Sequence, residues 1–291
     1  MIASISIVVP TYDRTESIKR LFKSILDQDI SPLEVIIVDD TPSSDVEELC
    51  KNWHPLFAEK GVELIYLRNP RRRSAAVARN VGAEHARGDI VLFLDTDIVL
   101  LPGYLQGILR TFQENPNAVG VSGYIVNIGE ASRRVRLLAL KNLFNLVFKA
   151  YYRYLPNRCR FFEYPSQLTR TVNCEWLTSS NTAYKREVFL KYKFDENLEG
   201  YSFMEDVLLS YKIFRDYPKG LYITPLAKCI HEEGSKDIYG SNLDKHRDNC
   251  RKYVLVKLFG LKGLLLYHWQ NLGRTILKFL KLATLSGWRG K

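Results

Sequence analysis

Two aspartates, Asp95 and Asp97, flank one threonine at the end of an apolar run in IVLFLDTDIVLLPG. A second acidic pair, Asp39 and Asp40, closes VIIVDD, and a third, Glu205 and Asp206, opens the helix-like stretch MEDVLLSYKI. Carboxylates at the ends of buried segments are costly to desolvate unless a cation meets them. Asp95 and Asp97 therefore require arginine or lysine partners, or a metal. Each pair also has a plainer explanation. The D-T-D suits a solvated turn, and Asp40, more readily than Asp39, suits capping of the helix ahead of Ser43. Glu205 and Asp206 suit a favourable contact with a helix dipole.

The elements that must position these acids follow from the hydrophobic pattern. Apolar runs predict strands at 4–9, 33–38, 62–67, 90–94 and 119–123, and amphipathic periodicity predicts helices at 15–28, 43–60, 74–87 and 102–115. Continuously apolar strands separated by helices imply an α/β fold with a mostly parallel sheet covered on both faces. Ligands in such sheets sit beyond the carboxyl ends of the strands. One rim then gathers Pro10, Thr11, Tyr12 and Asp13, the pair Asp39 and Asp40, Asn69 with Arg71 to Arg73, and Asp95, Thr96 and Asp97. Beyond Cys174 the pattern predicts a loop at 178–181, a short helix at 185–192, a helix at 204–216, short strands at 220–224 and 228–231, and helix after Asn242. A Rossmann dinucleotide site would place G-x-G-x-x-G after the first strand, but PTYDRTE contains no glycine. A phosphate-binding P-loop is absent as well.

Composition is that of an ordinary globular chain, 46% hydrophobic and 25% charged over 291 residues. The N-terminus opens on SISIVVP with no basic, cleavable apolar leader, which predicts a cytosolic location. Cys50, Cys159, Cys174, Cys229 and Cys250 are odd in number and widely spaced, which predicts reduced thiols rather than disulfides or a zinc knuckle. The formal net charge of +10 is local in origin: residues 131–162 hold eight Lys or Arg, residues 249–291 hold nine, and neither segment has an acid. The rest of the chain is therefore mildly acidic, and a local basic patch implies a local partner.

The blocks VVPTYDR, VIIVDDTPSSD, SAAVARNVGAEHARGDIVLFLDTDIVL and SSNTAYKREVFLKYKFDENLEGYSFMEDVLLSYKI stand in an order and at separations that resemble the family 2 glycosyltransferases of the GT-A fold. The resemblance covers roughly residues 4–233. It implies a nucleotide-diphospho-sugar transferase, hexosyl or N-acetylhexosaminyl in type. The donor would be UDP-, GDP- or dTDP-linked and the acceptor a saccharide or lipid-linked hydroxyl, with inversion at the anomeric carbon. It also implies a Mn2+ or Mg2+ cofactor, because a departing diphosphate gathers negative charge that a carboxylate-held divalent cation neutralises.

On this resemblance Asp97 is the expected metal ligand, and Asp95 lies nearer the ribose and the metal-bound water, with Thr96 between them. Asp39 accepts from the base in a pocket walled by Pro10 and Tyr12, and Thr11 is a further nucleotide-sugar-binding residue. Asp206 is the expected general base and Glu205 an acceptor or loop-ordering contact. His231 is either a third metal ligand or a satisfied structural histidine. Of Arg71, Arg72, Arg73 and Arg79, one or two are expected to meet phosphate and the rest solvent. The chain departs from the pattern where relatives read G-x-N and it has Ser179, Ser180 and Asn181, and where they read G-E-D and it has Met204 before Glu205 and Asp206.

The expected organisation is a catalytic domain over 1–241, with a basic amphipathic helical insertion at 131–165, followed by a basic amphipathic extension over 242–291. Lys141, Asn145, Lys149 and Arg153 recur every fourth residue in the insertion, and Arg274, Lys278 and Lys281 share one side of the tail. The longest uncharged run in the tail, 263–273, is too short to span a bilayer. Both segments suit either peripheral attachment to the inner face of the cell membrane or packing on the catalytic domain or a second subunit. A non-catalytic basic protein binding anionic lipid or nucleic acid on the same fold is the alternative, although the usual nucleic-acid-reading motifs are missing. A sugar-nucleotide pyrophosphorylase would want a glycine-rich basic loop after the first strand.

Overall fold

The computed structural model describes residues 3–71, 74–127, 168–198, 202–232 and 243–286. The basic segment 131–162, Arg72, Arg73 and Cys159 lie outside the described residues. Strands β1 (Ile5–Thr11), β2 (Glu34–Asp39), β3 (Glu63–Arg68) and β4 (Ile90–Leu94) alternate with helices α1 (Thr15–Leu26), α2 (Asp45–Glu59) and α3 (Ala75–His85). These strands pair in parallel in the order β3-β2-β1-β4. The chain thus builds outward from β1 to β3 and then crosses to the other side of β1 for β4. The rim between β1 and β4 is a topological switch point, where open α/β sheets bind ligands.

The second half of the sheet is mixed. It contains β5 (Ile98–Leu100), β6 (Gly120–Ile125), β7 (Val172–Cys174), β8 (Asn181–Lys185) and β9 (Leu221–His231), with α4 (Tyr104–Glu114) between β5 and β6. β8 inserts antiparallel between β4 and β6, β6 runs parallel to β9, and β5 and β7 pair antiparallel with β9. The two short strands expected at 220–224 and 228–231 are one strand, whose pairing to β6 shifts register between Gly123 and Tyr124. Pro225 lies where the apolar pattern breaks, and a bulge keeps the strand in the sheet despite its missing N–H.

Burial explains why the first strands show no polar alternation. Ile5, Ile7 and Val9 of β1, Val35 and Ile37 of β2, and Ile90, Leu92 and Leu94 of β4 enter one core with α1, α2 and α4. Val8, Ile36, Val38, Val91 and Phe93 enter a second core with α3 and the 3-10 turn Arg186–Leu190. Helix α5 (Glu205–Asp216) joins that second core through Leu209 and Ile213. Helix α6 (Leu243–Phe259) packs on α5 through Cys250 and Val254 against Met204, Val207 and Leu208. Helix α7 (Leu261–Ser286) folds back on α6. The free thiols Cys50, Cys174, Cys229 and Cys250 are buried.

Candidate active site

The rim is laced by the chain itself before any side chain is considered. The Asp40 N–H donates to the Thr11 carbonyl at 2.9 Å, and the Asn69 N–H donates to the Asp39 carbonyl at 2.7 Å. Asp13, in the left-handed region at φ 50°, donates its N–H to Thr41 Oγ1 at 2.8 Å. These bonds fix the ends of β1, β2 and β3 relative to one another. Thr11, Asp39 and Thr96 are buried here, while Pro10 and Tyr12 are partly exposed and line the opening. Thr11 Oγ1 is buried without a hydrogen-bond partner.

Asp39 is fully buried and accepts from Tyr66 Oη at 2.9 Å, from Arg68 Nη1 at 2.9 Å and from the Thr41 N–H at 2.8 Å. Its charge is stabilised by three donors, two of them carried by β3. Asp40 does not cap α2. Its Oδ2 accepts from Asn69 Nδ2 at 3.3 Å and from the Ser74 N–H at 3.1 Å, tying the β3 exit to the start of α3. Ser74 in turn caps α3, accepting from the Val77 N–H at 3.3 Å.

At the β4 tip the two aspartates point to different partners. Asp97 Oδ2 accepts from Arg14 Nη1 at 2.7 Å, and His231 Nε2 lies 3.3 Å from Asp97 Oδ1. Burial pushes the Asp97 carboxyl up, but His231 and Arg14 outweigh it and hold the group below the usual carboxylate range. His231 moves in the opposite direction, raised by its contact with Asp97. Asp95 Oδ1 instead accepts from Arg79 Nη2 at 2.8 Å. The same guanidinium is ion-paired through Nη1 with Glu205 and lies 5.7 Å from the centre of the Phe194 ring. Arg79 and Glu205 are both buried. One arginine on α3 thus couples the tip of β4 to the first turn of α5. The neighbouring Asn80 pins the segment after the 3-10 turn, donating to the Phe194 carbonyl at 3.0 Å and accepting its N–H at 2.9 Å.

Asp206 follows on the first turn of α5, partly open to solvent. Its Oδ2 accepts from the Ser179 N–H at 3.3 Å and its Oδ1 from the Val207 N–H at 2.8 Å. Burial raises its pKa against these backbone bonds and the pull of Arg79. Two residues keep this geometry without the glycines expected from the pattern. Met204 takes φ 68°, the left-handed region glycine favours, and its buried side chain in the α5–α6 cluster offsets a strain of about 1–2 kcal/mol. Asn181 is fully buried, donating to the Gly123 carbonyl at 3.0 Å and accepting from Ser122 Oγ at 3.0 Å, while the Ser180 carbonyl accepts the Asp95 N–H at 3.0 Å.

Among the described residues no cluster of three or more His, Cys, Asp or Glu could hold a metal ion by itself. The donor set at Asp97 and His231 fits a cation shared with a substrate. A buried carboxylate oxygen without a hydrogen bond faces an imidazole nitrogen, and phosphate oxygens are the customary remaining ligands of such ions.

The sequence of residues 6–192 matches the family model described as glycosyl transferase family 2. The chain belongs to glycosyl transferase family 2. Among curated relatives, a glucosyl-dolichyl phosphate glucuronosyltransferase of Haloferax volcanii is 30% identical over 124 residues, 42% of this chain and 38% of that protein. A GalNAc(5)-diNAcBac-PP-undecaprenol beta-1,3-glucosyltransferase of Campylobacter jejuni is 31% identical over 110 residues, 38% of this chain and 35% of that protein. The chain spans about a third of the length of the curated relatives it matches. Of solved structures, S. aureus TarS 1-349 in complex with UDP-GlcNAc superposes with a TM-score of 0.57 at 18% identity, over 92% of this chain and 73% of that one. GalNAc-T7 with UDP, GalNAc and Mn2+ superposes with a TM-score of 0.56 at 14% identity, over 79% and 44%. These likenesses establish the GT-A fold.

The family 2 fold brings Asp95, Thr96, Asp97, His231, Glu205 and Asp206 to one rim, with Pro10, Thr11, Tyr12 and Asp39 at its other end. Sequence reasoning missed Arg14, Tyr66 and Arg68. Their position at the ends of β1 and β3 was visible, but their partners lie 83, 27 and 29 residues away. Arg79, expected among the phosphate-facing candidates, instead faces Asp95 and Glu205.

Proposed function

We propose that this chain transfers a sugar from a nucleoside-diphosphate sugar to a hydroxyl of a saccharide or lipid-linked acceptor, with inversion and with Mn2+ or Mg2+ as cofactor. The observation that carries the reading is the Arg79 bridge between Asp95 and Glu205, which sets a cation-suited strand tip beside a carboxylate of raised pKa. Pro10, Thr11, Tyr12 and Asp39 receive the nucleoside. Uracil is the favoured base, since the TarS and GalNAc-T7 structures carry UDP or a UDP-sugar, and Asp39, whose Oδ1 accepts from the Thr41 N–H, keeps acceptor capacity for a base N–H. Asp97 and His231, with Asp95 beside them, would hold the cation, which when bound neutralises the charge gathered by the leaving diphosphate.

Asp206 does the proton chemistry. The acceptor O–H passes its proton to Asp206 as the oxygen forms a bond to the anomeric carbon. The bond from that carbon to the diphosphate oxygen breaks on the opposite face, and the electron pair leaves with the diphosphate. A base must be unprotonated to act, so the raised pKa of Asp206 places the acid limb of kcat/KM above the ordinary aspartate range. The test is Asp206→Asn assayed with UDP-sugars and Mn2+. Turnover should fall by about 10²–10⁴ while UDP binding is kept; unchanged turnover removes Asp206 from the role.

A further inference from the structure

The α6–α7 hairpin carries none of the residues assigned to the transfer. On α7, Gly263, Leu266 and Gln270 face inward and are buried, Leu266 packing with Leu255 of α6. The missing side chain of Gly263 lets α7 approach the Leu255 carbonyl. Arg251, 1% exposed, locks the pair: it is held by Asp248 and Asn271 and lies 5.2 Å from the centre of the Tyr267 ring. The opposite side of α7 is an apolar stripe open to water. Leu261 is 73% exposed, Leu265 56%, Trp269 37% and Leu272 51%, at spacings of four, four and three that put them on one face. The stripe runs about 16 Å along the helix. Lys262 is exposed beside its first turn, and Lys252 and Val256, four apart on α6, are exposed as well.

A row of exposed leucines this ordered marks a docking face, and charge decides what docks. Of the Lys and Arg in the acid-free segment 249–291, Arg251 is buried against Asp248 and Lys257 pairs with Asp195, while Lys252 and Lys262 are exposed with no acid of the segment to offset them. A two-fold contact of this face with a second copy would set that charge against itself, since such interfaces pair a patch with its own image. A surface both apolar and anionic satisfies the leucines and the lysines together. No helix among the described residues is long and apolar enough to cross a membrane. We propose that the outer stripe Leu261, Leu265, Trp269 and Leu272 lies in the interface of an anionic lipid bilayer, with the flanking lysines at its headgroups.

Flotation of the purified 291-residue chain with lipid vesicles tests this without donor or turnover, so its failure leaves the Asp206 assignment standing. The chain should float with vesicles of phosphatidylcholine mixed with phosphatidylglycerol, far less with phosphatidylcholine alone, and less as salt rises. Lys262→Gln should lower the partition coefficient about fivefold. Leu265→Glu with Leu272→Glu should lower it at least about tenfold without changing the thermal midpoint, both side chains being more than half exposed. Equal binding to neutral and anionic vesicles, unchanged binding by the double variant, or no binding at all overturns the proposal. A dimer in sedimentation velocity that the leucine variants abolish, with no vesicle binding, assigns the face to a second copy instead.

Discussion

Replacing Arg79 by methionine should be the most damaging single change at the rim that leaves the backbone alone. The guanidinium meets two acids in unequal surroundings: the Glu205 side chain is 4% exposed and that of Asp95 is 33% exposed. In Arg79→Met, Asp95 can turn to water, where an ion pair is worth at most about 1 kcal/mol. Glu205 cannot, and one of its oxygens is already buried without a hydrogen bond. Leaving a buried charge unpaired costs about 3–5 kcal/mol, a large part of the roughly 5–15 kcal/mol that holds a domain folded. Glu205→Gln should cost less, because Arg79 keeps Asp95 as its partner, and Asp95→Asn should cost least. Arg79→Met combined with Glu205→Leu should recover most of the loss, since apolar replacement of a buried pair is often close to neutral. Urea unfolding followed by tryptophan fluorescence reads the series. With a slope of about 3 kcal/mol per molar, the Arg79→Met midpoint falls by at least about 1 M. A loss under about 1 kcal/mol, or strictly additive costs in the double variant, would show that Arg79 does not couple the strand tip to α5.

Three further outcomes follow from the same geometry. Glu175, half-buried and with Oε2 lacking a hydrogen bond, has its pKa pushed up to about 7 by burial. The folded state therefore holds the proton more tightly than the unfolded chain, and the stability this gives at low pH is lost as pH rises through about 7. Glu175→Gln should exceed the native chain in unfolding free energy from urea titration above pH 7 by up to about 1 kcal/mol after solvent screening, and the two stability–pH curves should converge in acid; parallel curves refute this. Asp97→Asn should lose the stabilisation that Mn2+ adds to UDP in a thermal shift assay, about 2.7 kcal/mol when the ligand stands at 100 times its Kd, and an undiminished Mn2+ increment would remove Asp97 from the cation site. Gly107→Ala sets a Cβ against the Leu226 carbonyl on the bulged part of β9; overpacking there should cost about 1–3 kcal/mol in thermal unfolding, and an unchanged midpoint would show that α4 has room to shift.

The parallel half of the sheet is legible because the buried residues of β1, β2 and β4 are apolar apart from Ser6, Thr11, Glu34 and Asp39 towards the strand ends, so the strands announce themselves without knowledge of their neighbours. β8 carried no such signal. Asn181 and Thr182 are polar yet fully buried, their hydrogen bonds met by Gly123, Ser122 and Thr178 across the fold, and burial of this kind depends on partners that local pattern does not name. β5 and β7, three residues each, are held by pairing with β9 rather than by propensity. The site divides in the same way. Acids at strand ends were visible by type and place, since nothing apolar explains them. Their cations were not, because Arg14 and Arg79 each had several acids within plausible reach, and only the crossing from β3 to β4 decides that Arg14 meets Asp97 and Arg79 meets Asp95 and Glu205. The division has a chemical consequence. A carboxylate already neutralised by arginine is stable without a ligand, so on the proposed function Asp97 would wait, paired with Arg14, for a donor and its cation, and the exchange of one positive partner for another would cost the fold little.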